Sequence, residues 1–299
     1  MNLKTSLSIE LLSRKSMWLP EDAMPWIQGH FDALPSMAPD KWCFFEPFNQ
    51  KPPKNNDWSF LTDFPDFAWT SLYWKRLKKT RSWGGFLPAL AKKYHQDSTH
   101  ASEIFYLEFH QLSLSEVYGY LKRSAEPNHI DIGGCDSFTQ EYYDDFFRNV
   151  ITHAGEMGGE FLLYTRVLQH WLPDLYWITV FGKPYVNLFG LDKLLSAPCY
   201  QVEQIGEDAV IMQMTANPQD MLENYSEIRR VKQAVKEHLN PRAFFNQDMA
   251  YFIGGEGMFQ DYDLVSEQKG SVFDVPRFEL KSDRLLNRDW IGNKPPEAD

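Results

Sequence analysis

Cysteine is scarce in this chain of 299 residues: Cys43, Cys135 and Cys199 lie far apart and form no CxxC pair. An odd, scattered set of thiols argues against a disulfide framework and a zinc knuckle, and three buried thiols are expected. Long apolar runs are missing too. No stretch approaches the ~20 apolar residues of a membrane-spanning helix. The first twenty residues, MNLKTSLSIELLSRKSMWLP, hold a short apolar patch broken by Glu10 and no small-residue cleavage site, so they do not read as a signal peptide. A cytoplasmic protein without membrane contact is expected. The motifs of familiar chemistries are absent as well: there is no GxGxxG, no Walker GxxxxGK, no HExxH and no GxSxG.

Basic residues are in the minority, 30 Lys plus Arg against 41 Asp plus Glu, for a formal charge of −11. A general nucleic-acid binder needs a positive face to release counterions, so that class is disfavoured. A charged partner is expected to be basic. What the chain does have is apolar and aromatic mass, 43% hydrophobic and 15% aromatic. That is enough for a sizeable core and excludes global disorder.

The charge is uneven. Seven basic residues (Lys75, Arg76, Lys78, Lys79, Arg81, Lys92 and Lys93) occur from Lys75 to Lys93 without an acid, leaving 23 basic against 41 acidic residues elsewhere. This stretch is a solvated basic loop, or it folds back onto acidic neighbours. Tyr73, Trp74, Trp83 and Phe86 interleave it, as a single-strand binding surface would require.

Periodicity and breakers predict an α+β fold with mixed or antiparallel sheet regions and packed helices. Strands are expected at Leu7 to Leu12, Trp42 to Glu46, Ala68 to Leu77, Ile104 to His110, and Trp177 to Phe181. Helices are expected at Pro20 to Leu34, Phe86 to Tyr94, Leu114 to Arg123, Thr139 to His153, Glu160 to Leu172, Lys183 to Leu195, and Glu223 to Leu239. Ser82 to Gly85 reads as a turn, and Gly206-Glu207-Asp208 as the turn of a hairpin joining Tyr200–Ile205 to Ala209–Thr215. Asn128 to Ser137 is the clearest punctuation. It divides an N-terminal region, 1–130, from a second α+β region, 131–253, with a loop-rich tail at 254–299; the alternative is one compact domain overall.

Candidate chemistry is thin. Eight histidines are scattered without ligand spacing, so no metal and no cofactor are expected. Ile130 to Asp136, IDIGGCD, reads as a strand entering a tight turn with glycine at positive φ; its Gly133-Gly134-Cys135 core offers a phosphate cradle or thiol nucleophile as the alternative. Acids alternate with aromatics in EYYDDFF, namely Glu141, Tyr142, Tyr143, Asp144 and Asp145. These are an acid/base pair, a docking face for a basic partner, or a solvated helix face. The tail segment GGEGMFQDYDLVSEQ adds Glu256, Phe259, Asp261, Tyr262 and Asp263, too aromatic for a passive linker. It packs over the core or meets a protein.

A further pattern runs from Tyr176 to Phe245: YWITVFGKPYVNLFGLDKLLSAP, YQVEQIGEDAVIMQMTANPQD and VKEHLNPRAFF. Its FG-x-PYV-x-L-x-G block, LL-x-x-P, Q-x-T-x-NP-x-D turn and closing VK-x-HL…FF resemble the type VI secretion immunity protein family, over about seventy of the 299 residues. Trp83-Gly84-Gly85 is a shorter match. The resemblance implies an inhibitor encoded beside a secreted antibacterial toxin, which it neutralises by binding. On this reading the partner is a basic toxin acting in the cytoplasm, a nuclease or a nucleotide-consuming enzyme, met by the acidic, aromatic surfaces named above. The rival is a small hydrolase or transferase using the Gly133-Gly134-Cys135 turn and nearby carboxylates. The motif residues themselves are expected in the scaffold: Tyr185, Leu188 and Leu194 against Val202, Ile211 and Met214, with Phe244-Phe245 plugging one end.

Overall fold

The computed structural model describes residues 6–13, 17, 20–44, 46–63, 71–78, 80–87, 100–108, 114–137, 172–244, 250–253 and 263–266. Its frame is one nine-stranded sheet in which every neighbouring pair is antiparallel. The strands are β1 (Ser6–Ser13), β2 (Lys41–Cys43), β3 (Leu72–Arg76), β4 (Ser82–Leu87), β5 (Ala101–Glu108), β6 (Ile130–Asp136), β7 (Ile178–Phe181), β8 (Gln201–Ile205) and β9 (Ala209–Gln213). They lie in the order β2-β3-β4-β5-β1-β6-β7-β9-β8. β10 (Ala250–Ile253) and β11 (Asp263–Ser266) form a separate antiparallel ribbon. The helices are α1 (Pro20–Ala33), α2 (Leu114–Ala125), α3 (Lys183–Phe189), α4 (Leu191–Leu195), α5 (Pro218–Glu223) and α6 (Tyr225–Leu239). The α+β expectation is met, with the sheet wholly antiparallel.

Strand alternation assigns residues to two cores. On one face Leu7, Ile9, Leu11, Phe105, Leu107, Cys135, Ile178, Val180 and Ile211 meet α1 and α2, through Trp26, Ile27, Phe31, Val117 and Tyr120. On the other, Leu12, Ile132, Phe181, Val210 and Met212 meet α3, α4 and α6, through Tyr185, Leu194, Val235 and Leu239. The sheet runs without a break across residue 130: β6 pairs with β1 on one side and β7 on the other.

Four local expectations are corrected, one being the helix at Phe86 to Tyr94, whose first two residues end β4 while the rest lie outside the described residues. Ser82–Gly85 is not a turn but the first part of β4. A Cβ on Gly84 would lie 2.9 Å from the Trp74 indole and 2.5 Å from Phe105 Cβ, so glycine here serves close approach within a sheet. The Gly133-Gly134 pair is likewise in mid-strand, in the fully buried β6. A Cβ on Gly134 would stand 2.8 Å from the Tyr176 ring, and neither glycine has positive φ. Lys183–Leu195 is two helices, because Gly190 sits at φ 87° between α3 and α4.

The predicted packing of the motif region holds in part. Tyr185, Leu194, Val202, Met214 and Phe244 share the second core. Ile211 belongs to the opposite face, one residue out of phase with Val210 and Met212, and Leu188 is exposed. Helices expected at Thr139–His153 and Glu160–Leu172 fall outside the described residues, apart from Leu172, which is bridged to Phe244.

Candidate functional site

Of the surface residues singled out by sequence, Glu141, Tyr142, Tyr143, Asp144, Asp145, Glu256, Phe259, Asp261 and Tyr262 lie outside the described residues. Asp263 opens β11, opposite Ile253.

The rival site is rearranged more deeply. Cys135 stands between β1 and β7 in the sheet interior, paired with Ile9 and Ile178. Its side chain is fully buried, and burial, reinforced by the Asp136 carboxylate, pushes the thiol well above its usual range. A thiol in that state is a protonated core residue rather than a nucleophile. Burial also raises the Cys43 thiol, and pushes that of Cys199 up to about 11. The three free thiols match the buried-thiol expectation at Cys43 and Cys135, while Cys199 is half-buried.

Two buried polar clusters occupy the two cores. Under α1 and α2, Glu103 Oε2 accepts from Trp26 Nε1 at 2.5 Å and from the Tyr120 hydroxyl. Glu103 Oε1 lies 2.5 Å from His30 Nδ1, with both side chains fully buried. Burial and the Glu103 charge raise the Tyr120 phenol well above its ordinary value. On the other face, Lys232 and Lys236 of α6 reach Asp174, at 3.1 and 2.5 Å, and Lys232 stands 3.7 Å from Asp136. Burial works against ionisation of Asp174, yet the two ammonium groups hold its carboxyl well below the usual range. Burial pushes Asp136 up to about 6, against the pull of Lys232. The second cluster sets two lysines against two carboxylates, and both clusters brace the fold from inside.

At the surface, His238 Nε2 lies 2.9 Å from the Lys193 carbonyl and 3.3 Å from Ser196 Oγ. Hydrogen-bonding to the carbonyl makes Nε2 a donor, so it does not accept the serine proton and the pair is no nucleophile–base dyad. Among the described residues no group of three or more His, Cys, Asp or Glu is arranged to hold a metal ion, and no helix is long and apolar enough to cross a membrane.

The basic stretch is partly spent inside the protein. Trp74 and Phe86 are core residues, while Trp83 is exposed and stacked on Tyr106 at 4.2 Å between ring centroids. Lys78 pairs with Asp40 at 3.1 Å, Arg76 donates to the Ala38 carbonyl at 2.8 Å, and Lys75 sits 4.1 Å over the Phe48 ring. Lys79, Lys92 and Lys93 lie outside the described residues.

What the sequence reading missed is a surface in the motif region itself. Leu188, Leu195 and Tyr200 are exposed, the last by 59%, within the run that leads from α3 into β8. Beyond them the β8–β9 hairpin gathers Glu203, Glu207 and Asp208, and Glu126 of the α2–β6 connection closes on its turn, accepting from Glu207 N at 3.2 Å. Lys122 takes Glu203 and Lys183 takes Asp208, the latter at 2.7 Å. Glu126 and Glu207 have no cationic partner among the described residues. The available signal was the helical spacing of α3: Tyr185, Val186 and Phe189 fill its buried face, so Leu188 falls on the other.

Comparison with known proteins adds little by sequence: no family model matches the chain, and no curated protein matches it. Among solved structures it is similar to the Pseudomonas aeruginosa T6SS protein PA0821, with 12% sequence identity and a TM-score of 0.45, over 77% of this chain and 74% of that one.

Proposed function

We propose that this chain is an immunity protein that neutralises a cognate antibacterial toxin in the cytoplasm by stoichiometric binding. The observation that carries the reading is the use made of the Tyr176–Phe245 motifs. Their tyrosine, valine, leucine and phenylalanine side chains build the second core, and the same stretch turns Leu188, Leu195 and Tyr200 outward beside an acidic hairpin. Exposed apolar anchors with charged neighbours are the make-up of an interface, where aromatics supply contact and charge supplies steering. The overall charge of −11 suits a basic toxin domain.

The enzyme alternative rested on Gly133-Gly134-Cys135, whose thiol is protonated and enclosed by the sheet. Occlusion requires no reactive group.

Co-expression with the product of the adjacent gene tests the proposal, with survival and co-purification scored together. Survival with a one-to-one complex is the expected result. Survival without a complex points to enzymatic repair, and a harmless, unbound neighbour contradicts the proposal.

A further inference from the structure

The two edges of the nine-stranded sheet are finished differently. Outside β2, Trp42 N donates to the Gln50 carbonyl at 3.1 Å and Gln50 N donates back to Trp42 at 3.2 Å, so the chain caps its own edge. Outside β8 no such bridge forms among the described residues. An uncapped edge strand presents a row of amide and carbonyl groups ready to pair with another strand. Natural edges are commonly blunted by proline, lysine or a bulge. β8, Gln201-Val202-Glu203-Gln204-Ile205, has none of these, and its register with β9 is unbroken. Its one charge is held from below: Glu203 accepts from Tyr118 at 3.1 Å and pairs with Lys122.

We infer that the edge of β8, unpaired among the described residues, takes up an extended, lysine- or arginine-bearing segment of the toxin as a tenth strand. The inference rests on the proposed function and locates its interface. Backbone pairing supplies the register, as in other strand-addition complexes. Tyr200, at the start of the strand, and Leu195 supply apolar contact. The hairpin end supplies charge, with Glu126, Glu203, Glu207 and Asp208 against Lys122 and Lys183, so an incoming basic side chain meets Glu126 and Glu207. A second copy of this chain fits worse. Symmetric antiparallel pairing of two β8 strands about their midpoint sets Glu203 across from itself, and like charges directly opposite are destabilising.

Hydrogen exchange of the purified complex with the adjacent-gene toxin, together with two proline variants, tests this. Successive amides of a strand point to opposite sides. Of Gln201→Pro and Val202→Pro, one removes an outward donor and spares the β8–β9 ladder, and the other breaks that ladder. The variant that keeps the wild-type unfolding transition is the informative one. The expected result is slowed exchange across Gln201–Ile205 in the wild-type complex, and affinity lowered roughly tenfold or more in the folded variant. A complex with unchanged affinity and no new protection in β8 overturns the inference and leaves the immunity reading intact. Failure of the wild-type chain to bind at all overturns both. A dimer of this chain alone that the folded variant abolishes makes the occupant a second copy, which also overturns it.

Discussion

The ammonium group of Lys232 lies 3.1 Å from the carboxylate of Asp174, inside a shell where both side chains are at least nine-tenths buried. The contact joins α6 to the segment entering β7, and Lys236 seals it from the next turn at 2.5 Å. Removing Lys232 leaves Asp174 with Lys236 but takes from the buried Asp136 its cationic partner, and an uncompensated buried charge costs far more than the pair contributes. Lys232→Met therefore lowers unfolding free energy by roughly 3–5 kcal/mol, read as a fall in the urea midpoint. An unchanged midpoint would show the pair to be dispensable.

Asp136 gives the fold a pH signature. Its folded pKa is about 6 against an ordinary 3.8. Between those values the folded chain holds a proton that the unfolded chain has lost, so this group's contribution falls as pH rises through the window. Asp174 works in the opposite sense, since its lowered pKa yields stability that is lost as pH drops through and below the ordinary carboxylate range. Asp136→Asn is expected to flatten the decline in stability between about pH 4 and 6, an effect on the order of 2 kcal/mol. Parallel urea titrations of both proteins across that range measure it, and identical slopes would refute the assignment.

The other core turns on Glu103, where Trp26, Tyr120 and His30 converge on one carboxylate. Tyr120→Phe removes one donor and is expected to cost about 1–2 kcal/mol. Glu103→Ala strands all three partners and is expected to cost about 3–5 kcal/mol. Thermal unfolding distinguishes them; equal losses would mean that the tyrosine alone holds the carboxylate.

Cys135→Ala separates scaffold from chemistry. Loss of a fully buried sulfur costs about 1–2 kcal/mol in stability. If the proposed immunity function holds, protection of cells persists in this variant, because occlusion needs no thiol. A variant that folds, binds the toxin and fails to protect would restore the enzyme reading.

Much of the frame was legible from patterns of local range. β1, α1, α2, β7, the β8–β9 hairpin and α6 follow from alternation, helical spacing and capping residues, as with Ile228, Val235 and Leu239 on one stripe of α6. The glycines misled for a physical reason. Gly84 and Gly134 are small because Trp74 and Tyr176 from elsewhere in the chain lie against them, and a single sequence carries no mark of that approach. The same holds for Asp136 and Lys232: 96 positions separate them, yet the fold brings them to 3.7 Å in the same buried cluster. Of the surface, the acidic character was plain from composition. The outward turn of Leu188 and Tyr200 depends on which helix face meets the sheet.

Stoichiometric occlusion leaves a signature in a titration of toxin activity. Purified adjacent-gene toxin is held at a fixed concentration well above the dissociation constant, and residual activity is read as this protein is added. A linear fall that ends sharply at one equivalent is expected. Full suppression by a small fraction of an equivalent, deepening with time, would contradict it and identify a catalyst.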